Sequence, residues 1–289
     1  MSQTPPAYRG LYINMDRSAD RRAAMEAQLQ REGLSAHYER FPGIDGSTLP
    51  PSQLLRPGEV GCLNSHLGAL RRGAELSAHL HVLEDDAVLC HNFAPAALSL
   101  VQSPVLDQYD IVFTDNGIPP SIDTIRYYRQ IYHRATQGGA HGMTEFALID
   151  LKQRALGCAS SYFISAKSVP KILARFDAEF ATREPDVNID MYYRRFCDDG
   201  SLRMACIVPF LTTIQLDMAT TTTGRAGQVD NPTVQVAELL RYSFYVERDM
   251  EGVAFPRLNA IMGERTKDPH GAFLTQVLEF LISDKFKSF

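Results

Sequence analysis

Residues 79–89 read HLHVLEDDAVL: a strongly apolar strand interrupted by three consecutive carboxylates. An apolar run this short, flanked by polar residues, suits a buried strand. Three carboxylates directly after such a strand are costly unless water, a metal ion or hydrogen bonds compensate them. Glu84, Asp85 and Asp86 therefore mark either a solvated turn or a site.

The flanking segments favour the site. Upstream, Val60, Leu63, Leu67, Leu70 and Ala74 recur at helical spacing from Gly58 to about Leu80, with Glu59, Cys62 and His66 along one flank of that stripe. Downstream, YDIVF (109–113) is a second strand, ending at Thr114, Asp115 and Asn116. The chain opens with the same alternation. YRGLYINM (8–15) reads as a strand, and SADRRAAMEAQLQREG (18–33) as a helix with Ser18 as its cap, Met25 and Leu29 inward and Gly33 as the stop. HYERF (37–41) is a further strand, followed by the PGIDG turn around Asp45. CASSYFIS (158–165), SVPKILARF (168–176), NIDMYYRRFC (188–197) and LRMACIV (202–208) continue the pattern. Strands alternating with helices predict an α/β fold with a central, mostly parallel sheet, whose ligands bind beyond the carboxyl ends of the strands. There the oxygen ligands of the acidic turn suit Mg²⁺ or Mn²⁺.

Two regions stand apart. Residues 116–156, which include IPPSIDTIRYYRQIYHRATQGGAHGMTEF, show no sustained periodicity and are expected to be an active-site insertion or lid, with Arg126, Tyr127, Tyr128 and Tyr132 as a sugar-stacking surface. After TTTTGRAGQVDNP (220–232), residues 233–248 and 270–285 read as amphipathic helices, the latter with Phe273, Val277, Phe280 and Leu281 on one side. The expected division is a main domain over 1–230 and a C-terminal helical extension over 231–289, with pairing of two subunits through those helices as a hypothesis.

Composition narrows the class. The chain has 289 residues, 45% hydrophobic and 22% charged, as in an ordinary globular enzyme. Its 29 basic and 34 acidic residues give a net charge of −5, so nucleic acid is not an expected partner. Five cysteines without a CxxC pair fit reduced thiols in a cytoplasm. MSQTPPAYRG lacks the pattern of a secretory signal, and no apolar run is long enough to span a bilayer. A cytoplasmic protein is expected, working at the inner face of the membrane if its acceptor is lipid-linked.

Four blocks in order, YINMDRSADRR, FPGIDG, PGEVGCLNSHLGAL and HVLEDDAVL, resemble the signature of glycosyltransferase family 25, the lipopolysaccharide-biosynthesis transferases related to collagen galactosyltransferases. GCASSYFISAKSVPKIL, the Asp190 segment and VPFLTTIQLDMATTTTGR extend the resemblance to about residue 225. It implies a GT-A fold, a UDP-sugar donor, a divalent cation, a glycan acceptor such as lipooligosaccharide, and inverting transfer of a hexose, galactose being typical. A catalytically inactive binding module of the same fold is the competing reading.

Carried over position by position, Asp86 is the first choice for metal coordination, and Glu84 reaches the metal or the ribose. Asn14, Asp16 and Arg17, at the end of the first strand, and Asp45 in its turn stand where this fold binds the nucleotide, although Asp16 and Asp45 also suit ordinary turn and capping chemistry. His66 is either a donor contact or a satisfied histidine beside the helix stripe. Arg225 belongs to a loop that resembles one closing over donor phosphates. Asp186 and Asp190 are the carboxylates available as base, and Asp190 matches the family position, as base or acceptor-sugar ligand. Arg21 and Arg22 read as a solvated helix face, and His79 and His81 as half-buried strand residues.

Overall fold

A computed structural model describes residues 8–119, 121–137, 145–216 and 232–265. The elements follow in the order β1 (Tyr8–Asn14), α1 (Ala19–Arg31), β2 (Tyr38–Pro42), a 3₁₀ turn (Gly46–Thr48), α2 (Pro57–Ala74), β3 (His79–Glu84), β4 (Ala87–Leu89), α3 (Phe93–Gln102), α4 (Val105–Gln108) and β5 (Ile111–Phe113). Then come α5 (Ile122–Gln137), β6 (Ala147–Asp150), β7 (Ser161–Ile164), α6 (Val169–Phe180), α7 (Ile189–Asp198), β8 (Met204–Val208), β9 (Thr212–Ile214), α8 (Pro232–Tyr242), a π turn (Met250–Ala254) and α9 (Phe255–Arg265).

The expected α/β class is observed. Seven strands form one sheet in the order β2-β1-β3-β7-β5-β8-β6. β1, β2, β3, β5 and β8 run in one direction, and β7 and β6 oppose them. The two-residue period of a strand sorts its side chains between two cores, one on each face of the sheet. Tyr162 and Ile164 of β7 enter the core that holds Leu11, Leu67, Val82 and Phe113, whereas Phe163 enters the core that holds Met25, Leu29, Leu83 and Val112. Both faces are covered, which is why the strands read as almost unbroken apolar runs.

The acidic stretch is not one strand. β3 stops at Glu84, the chain turns through Asp85 and Asp86, and β4 leaves the main sheet to pair antiparallel with β9. This lifts the carboxylates off the edge of the sheet where β1, β3 and β5 all end.

Three other expectations change. Residues 122–137 form helix α5 rather than a lid, with Ile125, Tyr128 and Ala135 buried and Tyr132 packed beside them. The spacing 125, 128, 132, 135 is helical, but it emerges only once tyrosines are counted as core. Ser18 occupies the N-cap position of α1 without making a side-chain capping bond. The helix expected over 233–248 ends at Tyr242, and the chain then bridges back so that Tyr245 pairs with Phe210. The expected boundary at 230/231 falls at the start of α8, which lies against the sheet. Leu240 and Phe244 fill one core, and Leu239, Tyr242 and Tyr245 fill the other. Residues 270–285 lie outside the described residues. No described helix is long and apolar enough to cross a membrane.

Candidate functional site

The carboxyl ends of β1 and β3 open into a cavity of about 670 Å³. Glu84, Asp85 and Asp86 form one wall, Arg17 and Arg21 another, the Gly43–Ser47 turn and the first turns of α2 a third, and Glu238 and Arg241 of α8 close the side. The walls meet because α1 and α2 both begin at this edge of the sheet, so their first turns face the ends of the strands.

The acidic turn is held from beneath. The Asn14 amide donates to Asp85 Oδ2 at 2.6 Å and to the Ser18 carbonyl at 3.0 Å, while Arg40 donates to Asn14 Oδ1 at 3.0 Å. Arg21 bridges the turn from the side, with guanidinium nitrogens 3.1 Å from Asp85 Oδ1 and 2.8 Å from Asp86 Oδ2. Only 14% of the Arg21 side chain is exposed. The expected solvated face is therefore corrected for Arg21, while Arg22 does pair on the surface with Glu26.

Asp86 Oδ1 is buried with no hydrogen-bond partner. Burial, then the charge of Glu84, pushes the Asp86 carboxyl up to about 7. Burial also raises Asp85, against the opposing pull of Arg21 and Asn14. Burial acts upward on Glu84 as well, but the hydrogen bond and charge of His66, helped by Cys62 and Arg21, leave it below the usual carboxylate range. The turn thus holds one carboxylate stabilised as an anion beside another that keeps its proton to near neutrality.

His66 is fully buried between two partners. Its Nε2 lies 3.0 Å from Glu84 Oε1 and its Nδ1 lies 2.8 Å from the Tyr162 hydroxyl, which accepts in turn from Tyr193 at 3.2 Å. Cys62, one helical turn earlier on α2, donates its thiol to the same Glu84 oxygen at 3.6 Å. The His66 ring is thus satisfied, and it also lines the cavity.

The remaining sequence-predicted residues separate. Asp45 caps the 3₁₀ turn by accepting from the Ser47 backbone at 3.0 Å, and it pairs with Arg17; both line the cavity. Asp16 pairs with Arg40 and is 87% exposed, while Asn14 lies behind the wall, on Asp85. Asp190, in the first turn of α7, accepts from the Cys158 backbone at 3.0 Å and from Met191 at 2.9 Å. Cys158 is on the wall of the cavity and has a left-handed backbone, φ +71°, unusual for a non-glycine residue. Asp186 is held by Arg195 at 2.7 and 2.9 Å and by Tyr192, which leaves it a structural partner. The expected sugar-stacking surface is not free: Tyr128 is core, Arg154 covers Tyr127 at 4.0 Å and Arg248 covers Tyr132 at 4.3 Å. His81 is fully buried rather than half-buried. Arg225 lies outside the described residues.

Reading the sequence alone missed Arg241. It is 1% exposed, pairs with the fully buried Asp115, and donates to Ser160 Oγ at 2.7 Å and to Cys158 Sγ at 3.1 Å. Its Nε has no partner. Nothing in an amphipathic helix so far from the acidic turn signals this role. Arg21 did carry a signal, because the first turn of a helix entered from a strand faces the strand ends.

Residues 9–191 match the family described as glycosyltransferase family 25 (LPS biosynthesis protein), and the chain belongs to that family. "Putative glycosyltransferase R655" of Acanthamoeba polyphaga mimivirus is 30% identical over 145 residues, covering 45% of this chain and 44% of that protein. The chain therefore spans less than half the length of this relative. Among solved structures, the galactosyltransferase LgtC in complex with donor and acceptor sugar analogs aligns over 68% of this chain and 72% of its own, at 12% identity and a TM-score of 0.34. That likeness is too loose to match residues.

Proposed function

We propose that this chain is an inverting, divalent-metal-dependent glycosyltransferase of GT-A type, transferring a hexose, galactose first among the candidates, from a UDP-sugar to a glycan such as lipooligosaccharide. The observation that carries the reading is the buried, unpartnered Asp86 Oδ1 beside Glu84 in a cavity at the strand ends. A buried carboxylate oxygen without a donor is costly, and a cation is the partner that would satisfy it. The residues present fit Mn²⁺ or Mg²⁺, with Asp86 and Glu84 as the ones that would hold it. Held there, such an ion would offset charge on the departing diphosphate.

The chain's own residues do the rest. Arg17, Arg21, Arg56 and Arg241 line the cavity and give it guanidinium groups suited to phosphate oxygens. Asp45 and Arg17, paired across two adjoining walls, suit the nucleoside. Asp190 is assigned the acceptor side, as base or acceptor-sugar ligand. As the base, it takes the proton of the acceptor hydroxyl as that oxygen bonds to the anomeric carbon, opposite the breaking bond to diphosphate. A lipid-linked acceptor would place the enzyme at the inner face of the membrane.

The test is release of free nucleoside diphosphate from a panel of UDP- and GDP-sugars with Mn²⁺ or EDTA, in wild type and in Asp86→Ala. The expected result is metal-dependent release from one UDP-hexose, lowered at least about a hundredfold in the variant, the scale of losing one preorganised charge-stabilising group. No release from any donor, with no thermal shift on adding UDP and Mn²⁺, would instead favour the inactive binding module.

A further inference from the structure

The side of Glu84 turned toward α2 carries chemistry that a hard-cation site does not need. We propose that Cys62, His66 and Glu84 form a soft-metal site that takes Zn²⁺, distinct from the Mn²⁺ or Mg²⁺ position at Asp86 and independent of whether the transferase reading holds.

The donor set is sulfur, imidazole nitrogen and carboxylate oxygen, the three ligand types that Zn²⁺ accepts and that Mg²⁺ does not combine. Cys62 and His66 are spaced i, i+4 on α2, so both project from one face toward the end of β3. Their ligand atoms and that of Glu84 lie within 4.8 Å of one another. Tetrahedral bonds to zinc hold ligand atoms roughly 3.3–3.8 Å apart. The His66–Glu84 and Cys62–Glu84 separations are already 3.0 and 3.6 Å. Small side-chain rotations close the set, and α2 itself need not move.

The surroundings supply what a ligating histidine requires. A metal-bound Nε2 gives up its proton, so Nδ1 must carry one and donate it outward. Tyr162 stands at Nδ1, at 2.8 Å. A phenol hydroxyl donates or accepts, so Tyr162 holds the ring in either tautomer. In the metal-free arrangement the Cys62 thiol donates to Glu84 Oε1; zinc would take the place of that proton on sulfur while the neutral imidazole keeps its one proton on Nδ1, so binding releases the thiol proton. Three protein ligands leave one coordination position for water or substrate, the pattern of a catalytic or exchangeable zinc site rather than a closed structural one. Because Glu84 serves both positions, Zn²⁺ is expected to antagonise the Mn²⁺-supported reaction.

Co²⁺ reports such a site directly, because a cobalt–thiolate bond absorbs in the near ultraviolet. Full-length protein, stripped with EDTA and desalted, is titrated with Co²⁺ and then with Zn²⁺. A near-ultraviolet band is expected that Zn²⁺ removes. Cys62→Ser abolishes it, whereas Cys158→Ser, which changes the other thiol on the cavity wall, and Asp86→Ala both retain it. Tyr162→Phe keeps the band but weakens the metal about tenfold, the usual effect of losing an outer partner of a ligand. No band in wild type, or one that survives in Cys62→Ser, overturns the proposal. Because wild type alone decides the first of these, an unfolded variant cannot rescue it. Failure of sugar transfer leaves this readout untouched, so the two proposals fall separately.

Discussion

His81 shows how far one residue's surroundings alter its chemistry. It is fully buried, with Tyr38 OH 2.5 Å from Nδ1, Ser161 Oγ 3.0 Å from Nε2, and its ring stacked on Phe163 at 4.0 Å between centroids. Burial disfavours the imidazolium and lowers the ring's pKa to about 3, from an ordinary value near 6.5. A depressed folded-state pKa contributes stability that is fully present above pH 6.5 and is lost as pH falls toward 3, at up to about 1.4 kcal/mol per pH unit. His81→Gln is therefore expected to be less stable than wild type by about 1–3 kcal/mol at pH 8, where buried hydrogen bonds are lost, with the gap narrowing by pH 5. Urea midpoints across that range check it, and a gap constant with pH would show that the ring does not titrate in this way. The sequence disclosed the acidic turn because its three carboxylates are adjacent in the chain. It disclosed neither the depth of His81 nor the bond from Asn14 to Asp85, because those depend on which face a strand turns inward and on contacts 71 residues apart.

Elements, rather than single side chains, set the shape of the cavity, and glycine lets two of them meet. The 3₁₀ turn after Asp45 lies against the first turns of α2, where a Cβ at Gly61 would come within 2.5 Å of the Ile44 carbonyl and 2.8 Å of the Gly46 nitrogen. These are backbone atoms, which cannot rotate away. Gly61→Ala is thus expected to destabilise by about 1–3 kcal/mol and, by displacing the Asp45 turn, to weaken UDP binding more than it alters metal binding at Asp86. Isothermal titration with UDP and with Mn²⁺ separates the two; equal losses would mean that the whole cavity had shifted. At this scale the sequence was most legible where periodicity is clean. β1, α1, α2, β5 and α6 stand where the patterns placed them. α5 was hidden because its inward stripe is built partly of tyrosines between arginines, a composition that also suits an exposed sugar-binding surface. β4 was hidden because three residues carry no period, and only pairing with β9 defines it as a strand.

At the scale of the whole molecule, the sheet is locked to α8 by a buried charge pair between Asp115, inside the segment that matches the family, and Arg241, beyond it. Asp115 follows β5 and Arg241 sits on α8; both side chains are at most 1% exposed. Only the folded molecule brings them together, which is why no local pattern announced the pair. Such a pair gains little over well-packed apolar residues, but removing one partner strands the other. Arg241→Met leaves Asp115 buried without its cation, at a cost of about 3–5 kcal/mol. Asp115 already has its carboxyl raised by burial, with Arg241 as the main opposing influence. Without Arg241 it rises further and holds a proton in the folded state. A raised folded-state pKa gives stability that is fully present below the unfolded value near 3.9 and is lost as pH rises. The deficit of Arg241→Met should therefore be larger at pH 8 than at pH 5, and Arg241→Met with Asp115→Leu should recover most of it at both. Because Arg241 also lines the cavity proposed to take the donor, the double variant is expected to stay weak in binding UDP while regaining stability. Denaturation at the two pH values, paired with UDP titration of both variants, tests the argument. If stability and UDP affinity return together in the double variant, α8 serves only to hold the fold; if stability returns alone, its arginine is part of the site.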